Sequence, residues 1–323
     1  MRGGVKLKRI DEFAYKNIIK PFLWNRKEVL RYWLNQLWLT HGNYFYELSR
    51  DSLFLYKKGC ILGKRFFIMP VPPMRRDGDI TKELDLFQYK INDIPIIISD
   101  DPPGFKQISV QNPRIKFYLK SREYVFQYPK DLGGYQWKSW RWINNQFDRS
   151  PDLWWSFSRT TDLPPDGKKD IETIITRWIA ANGAYSGVWD FLQSMNSLAD
   201  TWVLLTHEHG IPIGFRAVQM ISETTAVGLD MKTSRLISRK KVAHRINRFL
   251  MYKPLLELSK TYGNNVFLNS GVAHYPGMRG ETLHKSNVNL VKSKKEFHPV
   301  KILHIYRACS IGNTSIPHQH SLD

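Results

Sequence analysis

The stretch WVLLTHEHGIPIGFRAVQ (residues 202–219) decides the fold together with its continuation: TTAVGLDMKTS (224–234), the cationic connector SRLISRKKVAHR (234–245), INRFLMYKPLLELSKTYG (246–263) and NNVFLNSG (264–271). Short apolar and β-branched runs bounded by Gly, Asn and Ser read as strands, and the long run before Gly263 reads as a helix. The order is therefore strand, turn, strand, strand, basic crossing, helix, strand. Within HEHGIPIG, Gly210 and Gly214 read as the positions that permit positive φ in a hairpin turn.

Outward from this stretch, IIKPFLWNRKEVLRYWLNQLWLT (18–40) places Leu30, Trp33, Leu34, Leu37 and Trp38 at helical spacing, which predicts one amphipathic helix with a buried stripe. YFYEL, SLFLY and KRFFIMPV then predict an antiparallel meander over 43–72, and IPIIIS and YVFQY predict further strands. RWINNQF, IETIITRWIAA and VWDFLQSMNSLAD are helical patterns. LPPDGKKD, with two prolines, a glycine and charges, reads as a boundary. The expected division is 1–163 for one domain, 164–310 for a second and 311–323 for a mobile tail.

Forty-eight Lys and Arg against 29 Asp and Glu leave a net charge of +19 over 323 residues, with 13% aromatics. That balance points to a polyanionic partner, with nucleic acid (DNA or tRNA) first and peripheral contact with an anionic membrane second. Cys60 and Cys309 are the two cysteines, so neither a disulfide framework nor a thiolate metal cage is available. MRGGVKLKRIDEF is basic without a following apolar h-region, and no apolar run approaches bilayer length. The expectation is a cytoplasmic protein without a transmembrane segment, in the host cytoplasm if phage-encoded.

The residues fit for chemistry fall in three sets. The connector holds Arg235, Arg239, Lys240, Lys241, His244, Arg245 and, just beyond, Arg248, with no acid among them, next to the free N–H groups of a helix start. Arg239, Lys240, Lys241 and Arg245 are the candidate binders of a phosphate-bearing cofactor. GGYQWKSWRWINNQFDRS (133–150) interleaves tryptophans with cations; its rings read as packing a helix against the first meander, leaving Lys138, Arg141 and Arg149, with Arg248, as candidate nucleic-acid contacts. Asp230, at the end of AVGLD, and His274 or Tyr275, just after LNSG, are candidates to remove a proton from an attacking amine. His207 and His209, like His318 and His320 in the tail, lack further ligands nearby and read as a solvated turn and a mobile tail rather than a metal site.

With these residues in hand, the chain resembles the GNAT acyltransferase superfamily. More narrowly it resembles the tandem GNAT-like proteins related to the aminoacyl-transferring domain of phosphatidylglycerol lysyltransferase and to the Fem peptidyl transferases. The resemblance rests on a basic helix of pattern K-R-x-x-x-N-x-F, met by Arg141, Asn145 and Phe147 with Trp140 in place of the first basic residue. It rests also on a second landmark met by Leu268, Asn269, Gly271, Gly277, Arg279, Lys285 and Pro299, in which Arg279 and Lys285 become further candidate nucleic-acid contacts. It implies an α+β protein of two tandem GNAT-like domains, each a mixed, mostly antiparallel sheet flanked by helices. It also implies an acyl or aminoacyl donor, either acetyl-CoA or an aminoacyl-tRNA.

One departure shapes the functional expectation. Acetyl-CoA-dependent members carry a glycine-containing loop whose amides hold the pyrophosphate, whereas SRKKVAHRINRF has no glycine. The first expectation is transfer of an acyl or aminoacyl group to an amine in or attached to nucleic acid, including hypermodified phage-type DNA bases. An aminoacyl-tRNA-dependent transferase acting on a lipid, peptide or protein, and a non-catalytic nucleic-acid-binding protein, are the alternatives.

Overall fold

The computed structural model describes residues 7–61, 64–71, 73–77, 82–83, 96–100, 115–183, 186–234, 236–263, 265–273, 292 and 294–310. The chain divides into two compact units, one of residues 1–26, 38–125 and 271–323 and one of residues 27–37 and 126–270.

In the first unit, β1 (Lys8–Arg9), β2 (Tyr44–Ser49), β3 (Ser52–Ile61) and β4 (Lys64–Met69) pair antiparallel in sequence order, the meander expected from the aromatic and β-branched runs. β5 (Met74–Arg75) pairs with β3, and β6 (Ile96–Asp100) runs parallel to β4. β7 (Ile115–Gln127) completes this part of the chain. Before the meander lie α1 (Glu12–Ala14), a π turn (Tyr15–Ile19) and α2 (Lys20–Trp24). Asp11 starts the run: its Oδ1 accepts the Ala14 N–H at 2.7 Å, satisfying a donor that the first helical turn leaves open.

The second unit is built on β8 (Leu153–Arg159), β9 (Thr201–Glu208), β10 (Ile211–Met220), β11 (Thr225–Thr233) and β12 (Phe267–Ala273), side by side in that order. β8 to β11 are antiparallel, while β12, which returns after a helix, is parallel to β11. The chain then re-enters the first unit as β13 (Lys301–Ser310), antiparallel to both β6 and β7.

Two helical layers cover the second sheet. Val203, Leu205, Phe215 and Ala217 on one face pack with Ile171, Ile174 and Ile175 of α5 (Pro165–Asn182) and Phe191 of α6 (Ser186–Ser194), all buried. Each of these side chains larger than alanine contributes about 1.5–3 kcal/mol by leaving water. α8 (Ile246–Tyr262) covers the other face and packs against α4 (Lys138–Arg149): Phe147 stacks on Phe249 with ring centroids 4.1 Å apart, and Trp137 meets Tyr252 edge-on at 5.1 Å. Gly263, at φ 100°, ends α8.

Several expectations change here. The division at 163/164 falls inside the second unit, because β8 pairs with β9 and α4 packs on α8; the end of the chain joins the first unit because β13 pairs with β7. The helix over 18–40 is broken: after α2 come a 3₁₀ turn (Tyr32–Leu34) and α3 (Gln36–His41). Leu30, Leu34 and Leu37 are buried as expected, but Trp38 is 44% exposed and Arg31 is buried among them. A helix there would carry that guanidinium on the apolar stripe. Trp137 and Trp140 pack against Tyr252 and Phe249 of α8, inside the second unit, rather than against the first meander. The hairpin turn is His209-Gly210, both at positive φ (51° and 76°), which is the sign pattern of a two-residue turn matching strand twist. Gly214 instead lies within β10, where a Cβ would stand 3.2 Å from Leu250 Cδ1 and 3.3 Å from Ile246 Cδ1; it lets α8 approach the sheet.

Candidate functional site

Two features of the second sheet make a place for chemistry. The parallel register of β11 and β12 pairs Thr225 with Phe267, Ala226 with Leu268 and Val227 with Asn269, near the start of both strands. Just past it β11 is bulged: Val218 faces Gly228 and Ala217 faces Asp230, so Leu229 is an extra residue in the ladder. A bulge bends its strand and re-aims the neighbouring side chains.

Arg216 of β10 uses that irregularity. Its guanidinium lies against Gly228, where a Cβ would overlap Nη2, so glycine at 228 is a steric requirement of the arginine. Nη2 reaches Ser270 Oγ on β12 at 3.4 Å. Arg216 is 5% exposed, and its Nε has no hydrogen-bond partner among the described residues. Burial pushes its pKa down to about 10, partly offset by Asp230, so it stays protonated at neutral pH. Asp230 accepts from its neighbour's backbone, Met231 N–H, at 2.8 Å and from Lys232 Nζ; Lys232 in turn sits 4.6 Å over the indole of Trp178 from α5. Arg216, Asp230 and Lys232 are all buried.

The connector is organised by an acid that its own sequence lacks. Glu208, buried at the end of β9, accepts the Ser238 N–H at 2.7 Å and the Arg239 N–H at 3.4 Å. Arg239 is held by Asp152 and by Ser150 Oγ at 3.0 Å, with Glu208 Oε1 3.8 Å from Nε. The following N–H groups also bond within the chain: Val242 and Ala243 to Arg239 O, His244 to Lys240 O and Arg245 to Val242 O. Glu208 and the chain's own carbonyls thus occupy the N–H groups of Ser238, Arg239, Val242, Ala243, His244 and Arg245. Lys240, Lys241 and His244 of α7 (Lys240–Ala243) and its C-terminal edge are exposed.

The two basic segments singled out in the sequence come together within this one unit. Arg245 stacks on Trp142 of α4, its guanidinium carbon 4.8 Å from the ring centre, and Lys253 Nζ lies 3.4 Å from Asn144 Oδ1. Arg141 is turned inward to the loop before α4, donating to Leu132 O and to Gly134 O at 3.1 Å. Lys138 lies 5.8 Å over Tyr135; Arg149 is exposed and Arg248 half-buried on α8. His274, Tyr275, Arg279 and Lys285 lie outside the described residues.

His207 overturns the solvated-turn expectation: it is 1% exposed, stacks on Trp154 at 3.7 Å and 5°, and bonds Asp170 through Nε2 at 2.8 Å. His209, 53% exposed, keeps it. Sequence reasoning also passed over Arg216, Lys232 and Glu208. One signal was available, since a lone Gly inside the apolar run TTAVGLD marks a bulge or a close approach.

Neither a protein-family model nor a curated protein sequence matches the chain. Solved structures do. A conserved protein of unknown function from Bacteroides thetaiotaomicron superposes with a TM-score of 0.67 at 16% identity, covering 95% of this chain and 100% of that one. The C-terminal domain of a putative lysylphosphatidylglycerol synthetase from Agrobacterium fabrum gives 0.58 at 16% over 83% and 84%. L-PGS from Bacillus licheniformis gives 0.57 at 13% over 84% and 85%. The chain thus shares its fold, mixed and mostly antiparallel strands flanked by helices, with the lysylphosphatidylglycerol synthetase C-terminal domain.

Proposed function

We propose that the chain is an acyl- or aminoacyltransferase that delivers its group to an amine, with the nucleic acid bearing the donor or the acceptor docked on the basic surface of α4 and the connector. The observation that carries this reading is Glu208. Its carboxylate takes the Ser238 and Arg239 amides at the start of the connector, beside exposed side chains that can meet phosphate. Exposed side-chain cations suit a polynucleotide backbone, which presents phosphates in series, better than the single buried pyrophosphate of coenzyme A. A donor esterified to RNA is therefore the form we favour, and the fold shared with lysylphosphatidylglycerol synthetase supports aminoacyl transfer.

In this reading the basic surface positions the donor and Asp230 takes part in moving the proton. No membrane-crossing helix is found among the described residues. The test incubates purified protein with tRNA charged with labelled amino acids and with cell lipid, peptide and genomic DNA fractions. Ribonuclease-sensitive transfer of label to one fraction is the expected result. A mass shift in DNA nucleosides identifies a base amine as acceptor. Retention of all label on tRNA, with no new nucleoside mass, rejects the reading.

A further inference from the structure

We propose that the outer face of α4, with Tyr135 at its start, is a binding site for unpaired nucleotides. The Tyr135 ring stacks on a base, while Lys138, Arg149 and the cations of the connector meet the phosphates. This deepens the function proposed above and rests on it for the nucleic acid.

The side chains of α4 are sorted by face. Trp140, Ile143 and Phe147 are buried, the first and last against Phe249 of α8. Opposite them Lys138, Trp142, Asn145 and Arg149, spaced four, three and four residues apart, form one outward row. Lys138, Asn145 and Arg149 are exposed, and Trp142 is half-buried with the Arg245 guanidinium over its ring. At 1.5 Å per residue the row is about 16 Å long, the length of about five stacked nucleotides at 3.4 Å each.

The connector adds charge along the same helix. Arg239 is tied to Ser150 Oγ at the end of α4, and Arg245 reaches Trp142 in its middle, so the exposed Lys240 and Lys241 belong to a segment that follows the helix. Two acids of the stretch stand outside the row. Asp131 Oδ1 accepts the Gly133 N–H at 2.7 Å, and Asp148 Oδ2 accepts from Asn144 Nδ2 at 2.7 Å on the flank of the helix.

Charge alone would suit any polyanion, and Tyr135 narrows the choice. Its side chain is 85% exposed, yet its backbone is held. Tyr135 opens a 3₁₀ turn (Tyr135–Trp137) whose last residue is buried edge-on against Tyr252, and Arg141 pins the preceding loop by donating to Leu132 O and Gly134 O. Lys138 Nζ lies 5.8 Å from the ring centre, placing a cation beside the aromatic surface. A ring fixed before binding loses little freedom when it takes up a base. Bases inside a duplex are covered by their neighbours, whereas an unpaired base offers its face to such a ring.

Fluorescence anisotropy on the full chain tests this with a labelled 12-nucleotide RNA of mixed sequence, alone and annealed to its complement. The wild type is expected to bind the single strand more tightly than the duplex. Tyr135→Ala is expected to weaken the single strand about tenfold, the size of losing one stacked base, and the duplex by less than about threefold. Tyr135→Phe, which keeps the ring, is expected to stay within about threefold of wild type, and both variants keep the wild-type urea midpoint because the side chain is exposed. Lys138→Gln is expected to make the single-strand salt slope shallower by about 0.7. A DNA strand of the same sequence tells the two sources apart: the tighter of the two names the nucleic acid, and equal binding assigns the site to both. A duplex bound as tightly as the single strand, or a Tyr135→Ala variant that keeps single-strand affinity, overturns the proposal; the function proposed above then still stands if Lys240→Gln with Lys241→Gln weakens RNA binding. Single-strand binding that depends on Tyr135, without transfer from any charged tRNA, rejects the transferase reading and leaves this site standing.

Discussion

The second unit carries two sets of cations that differ in every physical respect. Lys240 and Lys241 stand in water on the connector, whereas Arg216, Asp230 and Lys232 are buried around the bulge of β11. Exposed charges act at long range, weaken with salt and are individually worth little to stability. Buried charges feel each other strongly and cannot be left unmatched. The contrast separates two physical situations that a count of basic residues merges: cations free to meet a polyanion, and cations locked into the protein's own packing.

Breaking the buried set gives the largest effect. Asp230→Asn removes the carboxylate that the buried Lys232 bonds and is expected to cost about 3–5 kcal/mol of unfolding free energy, read by urea denaturation. Lys232→Met, which keeps the stem against Trp178, is expected to cost less, because Asp230 keeps its bond from the Met231 N–H. A Lys232→Met loss as large as that of Asp230→Asn sinks this view of the charge set.

The exposed set predicts the opposite behaviour. Lys240→Gln with Lys241→Gln is expected to leave stability within about 0.5 kcal/mol. RNA affinity falls, and the slope of log K against log salt becomes shallower by about one for each phosphate contact removed. Unchanged salt slopes in a filter-binding series place the RNA elsewhere.

The smallest effect sharpens the border between the sets. His207 is buried at the sheet edge beside exposed Trp154, and burial lowers its pKa from 6.5 despite Asp170. Below pH 6.5 the unfolded chain therefore binds a proton that the folded chain resists. Stability falls as pH drops from 6.5 towards the lower folded value, by at most about 1.4 kcal/mol per pH unit. His207→Gln should flatten that part of the pH–stability curve; a curve of unchanged steepness assigns the dependence to another group.

How much of this was legible in the sequence depends on the range of each interaction. The order from Thr201 to Ala273 could be read because strands, a tight turn and a helix are written in local periodicity, and the His209-Gly210 turn needs only its own two residues. The interrupted helix before the meander could not: Leu30, Leu34 and Leu37 are spaced for a helix, yet Gln36 is drawn off by tertiary bonds, its N–H to Gln219 Oε1 at 2.8 Å and its side chain to Ser197 O at 3.1 Å. The connector's cations were visible, but not that Glu208, thirty residues away, occupies its amides. Arg216 looked like one polar residue in a strand, because its meaning depends on Gly228 and Ser270 lying beside it in space.

The proposed function is tested most directly by steady-state transfer from charged tRNA, comparing the wild type with the Lys240→Gln, Lys241→Gln pair. The surface change is expected to raise KM at nearly constant kcat, the more so at low salt. A surface variant that keeps the wild-type KM, or a wild type that transfers nothing from any charged tRNA, contradicts it.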